Sequence, residues 1–168
     1  MTTIPWTNTT SKHPGGVCEA ATSIWLQTIA DNGIQQANKI TATACDDLQT
    51  ACESGAYTWA IDLLPLLSAD PNASFDAFDG PTIVNNGQML NVLNTLTDNN
   101  FRFISATNGN GSGHATALYQ NNGTIYFFDP NNAIYSISSL QSDKVALANQ
   151  IMTNLQSWSD IVVRSGRL

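Results

Sequence analysis

The sequence predicts an α+β domain, helices first and an antiparallel sheet afterwards, and three observations carry that expectation. From Val17 to about Thr97 the apolar residues fall at helical spacing. From Phe101 onward the period shortens to runs of aromatic and β-branched residues separated by Asn and Gly. The length of 168 residues suits one core, and no repeat, linker or composition shift divides it, so residues 1–168 read as a single domain.

The elements follow in order. Residues 1–13 are Thr-rich without periodicity and read as an extended arm. Pro14-Gly15-Gly16 breaks the chain, and the helix that begins at Val17 carries Ala21, Ile24, Trp25 and Ile29 at core spacing. Asp31-Asn32-Gly33 ends it, with Gly33 as the C-cap. A second helix is expected from about Ile34 to Ser54, stopped by Gly55, and a third from Tyr57 to Leu67. Residues 68–82 are irregular, and a helix from about Asn86 to Thr97 keeps Met89, Leu90, Leu93 and Leu96 on one side. Strands are expected over Phe101–Ala106, Ala115–Gln120, Ile125–Phe128 and Ile134–Ile137. A last helix from about Leu140 to Trp158 leads into a strand from Ile161 to Arg164.

Composition narrows the function. Charged residues make up only 11% of the chain and the net charge is -7. The few basic residues are scattered, which argues against a nucleic-acid footprint and against docking on an anionic bilayer. No apolar run approaches the roughly 20 residues that span a membrane. Met1 to Pro14 has neither a hydrophobic core nor an early basic cluster, so a secretory signal peptide is not expected. Cys45 and Cys52, seven apart in a helical pattern, would lie on the order of 10 Å apart. A disulfide needs a Cα separation under about 7 Å, so free thiols are the expectation.

Three residues carry the chemistry. Cys18 opens a helix, where unpaired N–H groups favour the thiolate, and Gly15-Gly16 before it leaves the first turn uncovered. A buried structural cysteine is the plainer alternative, and it suits Cys45 and Cys52 better than Cys18. The chain has two histidines, and His114 follows a flexible Asn-Gly-Asn-Gly-Ser-Gly run that delivers it to the start of a strand. That run lacks the lysine and following helix of a phosphate-binding loop. Asn122-Gly123 is a strong hairpin signal, and a turn there makes paired residue numbers total 245. His114 and Asp129 are then diagonal neighbours on one face, or directly opposite if the turn centres on Asn121-Asn122 and the total is 243, and either way within reach of a hydrogen bond. A one-residue slip would separate them onto opposite faces. Asp129 ends an aromatic strand before Pro130 and is costly to bury without a partner, although a turn-opening Asp is an equal reading of it alone. Nucleophile, base and orienter together have the logic of a triad.

The loop from Asp70 to Asp79 alternates oxygen-bearing side chains as calcium loops do. It has Phe75 and Pro81 where such a loop needs Gly and Glu. No metal and no cofactor are expected.

Gly15-Gly16-Val17-Cys18-Glu19-Ala20 with Trp25, and His114-Ala115-Thr116-Ala117-Leu118-Tyr119 with Phe127-Phe128-Asp129-Pro130-Asn131, resemble the nucleophile and histidine–aspartate segments of the YopT-type cysteine proteases. The resemblance runs from about residue 14 to the C-terminus. It implies a papain-like fold, a Cys-His-Asp endopeptidase working through an acyl-enzyme, and a bacterial virulence effector acting on a host or rival-cell protein. It further implies secretion independent of a signal peptide into a target cell's cytoplasm, with a secretion chaperone or delivery partner. Papain-like enzymes take an oxyanion donor from an amide a few residues before the cysteine. Here His13 holds that place, with Asn8 behind it and Ser11 and Lys12 as further donors. The same residues would serve a deamidase or an acyltransferase, and a non-catalytic binding module is a third reading.

Overall fold

The computed structural model describes residues 1–56, 74–75, 82–110 and 112–168. The helix expected over 57–67, nearly all of the irregular stretch 68–82 with its acidic loop, and Gly111 lie outside the described residues. Helices lead and an antiparallel sheet follows, as the change of period requires. The helices are α1 (Cys18–Asn32), α2 (Ile34–Ala37), α3 (Asp46–Glu53), α4 (Asn86–Asn94) and α5 (Gln141–Asn154), with a 3-10 turn at Ala42–Cys45. The strands are β1 (Thr2–Pro5), β2 (Ser74–Phe75), β3 (Asn100–Thr107), β4 (Gly113–Asn121), β5 (Thr124–Asp129), β6 (Ala133–Ser138) and β7 (Asp160–Arg167).

The start of α1 is built by its neighbours rather than by its own cap. Val17, the N-cap, offers no capping side chain. Its backbone N–H is instead taken by Asn8, through the carbonyl and Oδ1, each at 3.0 Å. One turn on, the Ala20 N–H donates to Oε1 of Gln49 in α3 at 3.3 Å. These contacts satisfy donors that a helix end leaves unpaired. Gly33 closes the helix at φ 79, its N–H on the Ile29 carbonyl.

The second expected helix is broken. Between Asn38 and Thr41 the chain leaves helical geometry, and α2, the 3-10 turn and α3 replace one continuous rod. Two indoles hold the break: Trp25 Nε1 donates to Asn38 Oδ1 and Trp6 Nε1 donates to the Ile40 carbonyl. A carbonyl committed to an indole is not available to the helix ladder, which is a tertiary preference that periodicity does not carry.

Among the described residues the sheet has seven strands in the order β1-β6-β5-β4-β3-β7-β2, and every pair is antiparallel. The extended arm is thus an edge strand, Thr2–Pro5 paired to Ala133–Ser136. Helix α1 packs on one face, where Trp25, Leu26 and Val17 meet Phe101, Phe103, Ala117 and Phe128. Helices α4 and α5 cover the other, where Met89, Leu93, Leu147 and Ile151 meet Ile104, Leu118, Ile125 and Phe127. The β4–β5 turn has Asn122 at φ 48 and Gly123 at φ 71. Positive φ at both central residues is the hairpin turn that twists correctly for a sheet. Ala117 consequently pairs with Phe128, the register that a turn at Asn122-Gly123 requires.

Candidate active site

That register carries His114 and Asp129 to one end of the sheet, where β4 begins and β5 finishes. Both side chains lie on the α5 face by parity with Leu118 and Phe127. Nε2 of His114 stands 2.9 Å from Oδ1 of Asp129, and both side chains are buried. Cys18 comes from the helix on the opposite face. Its Sγ, only partly exposed, lies 4.0 Å from the carbonyl oxygen of Gly113, the residue before His114.

Asp129 is fully buried and has four donors around it. Oδ1 takes His114 Nε2 and the Asn131 backbone N–H at 3.0 Å, while Oδ2 takes Asn132 Nδ2 at 2.7 Å and Asn154 Nδ2 at 2.8 Å. A buried carboxylate persists only with such company. Trp158, just beyond α5, stacks on the His114 ring with 5.7 Å between centroids and 16° between planes. Burial pulls the proton affinity of His114 down, but hydrogen bonds to Asp129 and Cys18 and the negative charges of both outweigh it. The result is a pKa raised from 6.5 to about 9.

The other thiols differ. Burial pushes Cys45 up to about 12, with Asp46 adding to it, and pushes Cys52 up to about 11, with Glu19 and Glu53 adding. Neither is a nucleophile near neutral pH.

The expected donors upstream of Cys18 part company. His13 is committed to α3: its Nε2 lies 3.0 Å from the Asp46 carbonyl and 3.1 Å from Thr50 Oγ1, and its Nδ1 lies 3.2 Å from Glu53 Oε1. With both nitrogens occupied there, neither is left for the oxyanion-donor role expected of His13. Lys12 is exposed and reaches Asp47 at 3.4 Å, and Ser11 is exposed as well. Asn8 instead sits against the head of α1, its amide beneath Gly16, where a Cβ would come within 2.5 Å of Asn8 Nδ2. Gly16 also has φ +110, so glycine is required there twice over.

Sequence reasoning missed Asn131, Asn132, Asn154 and Trp158 as members of this site. Asn131 and Asn132 carried a local signal, since amides two and three residues after an Asp commonly fold back on it. Asn154 and Trp158 arrive by tertiary packing of α5 and had none.

Residues 82–157, just under half of the chain, match the family described as Yersinia/Haemophilus virulence surface antigen, peptidase family C58. That stretch is similar to the YopT-type peptidases. The matched stretch holds His114 and Asp129 and begins after Cys18. No curated protein matches the sequence. The fold is similar to the Pseudomonas avirulence protein AvrPphB, with a TM-score of 0.66, 13% identity, and 96% of each chain covered. It is also similar to PatoxP, a cysteine protease-like domain of the Photorhabdus asymbiotica toxin PaTox, with a TM-score of 0.51 and 12% identity. That match covers 99% of this chain and 53% of the other. The fold is therefore the papain-like α+β fold. None of the described helices is long and apolar enough to cross a membrane.

Proposed function

We propose that the chain is a cysteine endopeptidase in which Cys18 is the nucleophile, His114 the acid–base and Asp129 the residue that orients the ring. The observation that supports it most is the buried His114–Asp129 pair at 2.9 Å beside a partly exposed thiol at a helix N-terminus. Because Asp129 occupies Nε2, the ring has Nδ1 left for the thiol. Proton transfer from Cys18 to Nδ1 gives a thiolate and an imidazolium. Sγ attacks the peptide carbonyl carbon, and the oxyanion is met by the Cys18 backbone N–H and the Asn8 amide. The imidazolium returns its proton to the amine as the C–N bond breaks, leaving a thioester on Cys18. Water, deprotonated by the neutral ring, then releases the acid and the free thiol.

The substrate in this reading is a protein of a host or rival cell, reached by a route independent of a signal peptide and aided by a delivery partner. The virulence family supports this, as does a chain of net charge -7 with no basic surface for nucleic acid or lipid. The test compares target-cell proteins treated with the wild type and with Cys18→Ala, by mass spectrometry of new N-termini. New termini that depend on Cys18 are expected. A gain of about one dalton on Gln or Asn with no new termini would make the enzyme a deamidase. Full biological effect from Cys18→Ala would leave a binding module.

A further inference from the structure

One nitrogen of the His114 ring is held by Asp129, and the other has an amide neighbour. Nδ1 lies 3.3 Å from Nδ2 of Asn131, in the turn between β5 and β6. The polarity of this contact follows from a chain of hydrogen bonds that begins at a backbone amide. The Val17 N–H is a donor and nothing else, so it fixes Oδ1 of Asn8 toward itself at 3.0 Å. Nδ2 of Asn8 must then point away, and it donates to Oδ1 of Asn131. That in turn leaves Asn131 with its NH₂ toward the ring. Neither amide can turn over alone without setting donor against donor or acceptor against acceptor. The backbone N–H of Asn131 on Asp129 Oδ1, at 3.0 Å, anchors the residue from below.

We propose that Asn131 is a positioning residue whose amide, polarised through Asn8 from the head of α1, sets the proton affinity of His114 and relays the arrival of substrate to it. This rests on the reading of Cys18 and His114 as nucleophile and base. A donor facing Nδ1 suits the neutral ring, in which Nε2–H goes to Asp129 and Nδ1 carries a lone pair. It opposes the imidazolium, whose Nδ1–H would face an N–H. The titratable groups that face the ring are Cys18 from α1 and Asp129 from β5, and both favour the imidazolium. Trp158, beyond α5, is neutral. Asn131 therefore adds to burial as a counterweight to the two anions. An oxyanion that takes the Asn8 NH₂ releases Oδ1 of Asn131, and the freed amide can turn its oxygen to Nδ1–H. Substrate binding at one end of the relay thereby raises the ring's proton affinity at the other, at the stage when the ring must hold a proton for the leaving amine.

The experiment uses the full chain and iodoacetamide as the probe, since alkylation of Cys18 needs neither a peptide substrate nor the oxyanion site. Rates are measured against pH with iodoacetamide and with the anionic iodoacetate, whose attack the imidazolium promotes, and the alkaline limb of the iodoacetate profile is read as the loss of the imidazolium. Asn131→Leu, which keeps the shape and loses the donor, is expected to move that limb up by roughly half to one pH unit. Asn8→Ala, which frees Asn131 to turn over, moves it the same way. In the wild type, the Asn131 side-chain NH₂ resonance shifts through the His114 titration with the same midpoint, a measurement that needs no variant to fold. A limb unchanged or lowered in a folded variant, or an Asn131 resonance indifferent to the titration, overturns the relay. A wild-type thiol with no alkaline limb at all, or one that His114→Ala leaves in place, overturns instead the assignment of nucleophile and base.

Discussion

Two histidines are buried in this chain, each has a nitrogen against a carboxylate oxygen, and they differ in what surrounds the other nitrogen. His13 is ringed by α3: a backbone carbonyl and a hydroxyl at Nε2, the half-exposed Glu53 at Nδ1. Its backbone closes the entry loop too, with the Gly16 N–H on its carbonyl at 3.0 Å. His114 has a fully buried acid at Nε2 and the side-chain amide of Asn131 at 3.3 Å from Nδ1, with the Cys18 thiol among the groups that raise its proton affinity. Burial and an adjacent acid do not mark a base. In the proposed mechanism what marks it is a second nitrogen left to the thiol.

The sharpest way to break that contrast is to remove what Nδ1 serves. Cys18→Ala should abolish turnover, on the order of 10³-fold or more, with the fold retained by circular dichroism, since the side chain is partly exposed and fills no core position. Cys45 and Cys52, with pKa values near 12 and 11, should stay unalkylated under conditions that label Cys18. Peptide mapping after brief iodoacetamide treatment reads this directly. Label spread evenly over the thiols would mean that Cys18 has no special environment.

The histidines themselves come next. His114→Ala should cost on the order of 10³-fold in kcat, and His13→Gln should leave kcat close to wild type. His13→Gln should instead lower stability by about 1–3 kcal/mol in urea unfolding, because Asp46, Thr50 and Glu53 lose a buried partner. The reverse pattern would show the roles to be exchanged.

The ease of reading this molecule from its sequence divides along the same line. Local rules placed His114 beside Asp129, because a two-residue turn at Asn122-Gly123 sets the register and the register sets the face. Local rules likewise placed Cys18 at a helix start, since Gly16 can adopt φ +110 and Val17 can begin the apolar period. They failed where the deciding contact is distant in sequence. His13 stands where an oxyanion amide is expected, yet α3 holds its ring. Asn8 lies ten residues before Cys18, and a loop reversal carries it back to the helix. Thr2–Pro5 has no strand pattern, and β6 nevertheless pairs it. An isolated polar side chain has no period, so its direction is decided by whatever packs beside it.

Asn8 gives the next smaller effect. Asn8→Ala should cost on the order of 10²-fold in kcat with KM little changed, the signature of an oxyanion donor. Gly16→Ala should resemble it, because the new Cβ would fall 2.5 Å from the Asn8 amide at a backbone φ of +110. The strain adds a stability cost of about 1–3 kcal/mol. A Gly16→Ala enzyme with wild-type kcat would separate Asn8 from catalysis.

The smallest effect, and the one that tests the histidines side by side, is the pH dependence of stability. His114 is raised from 6.5 to about 9 in the folded protein, so folding favours its protonated form. Its contribution is fully present below about pH 6.5, where the unfolded ring is protonated too, and it fades as the pH climbs through about 9. The folded protein has then lost the charge that Asp129 and Cys18 were stabilising. Urea midpoints should fall across that window in the wild type and in His13→Gln, and should be flatter in His114→Gln. Cys18→Ala should show a smaller fall than the wild type, because one of the two anions that hold the proton is gone. If His13→Gln flattened the curve and His114→Gln did not, the buried ion pair would belong to the other histidine, and the contrast between the two would be reversed.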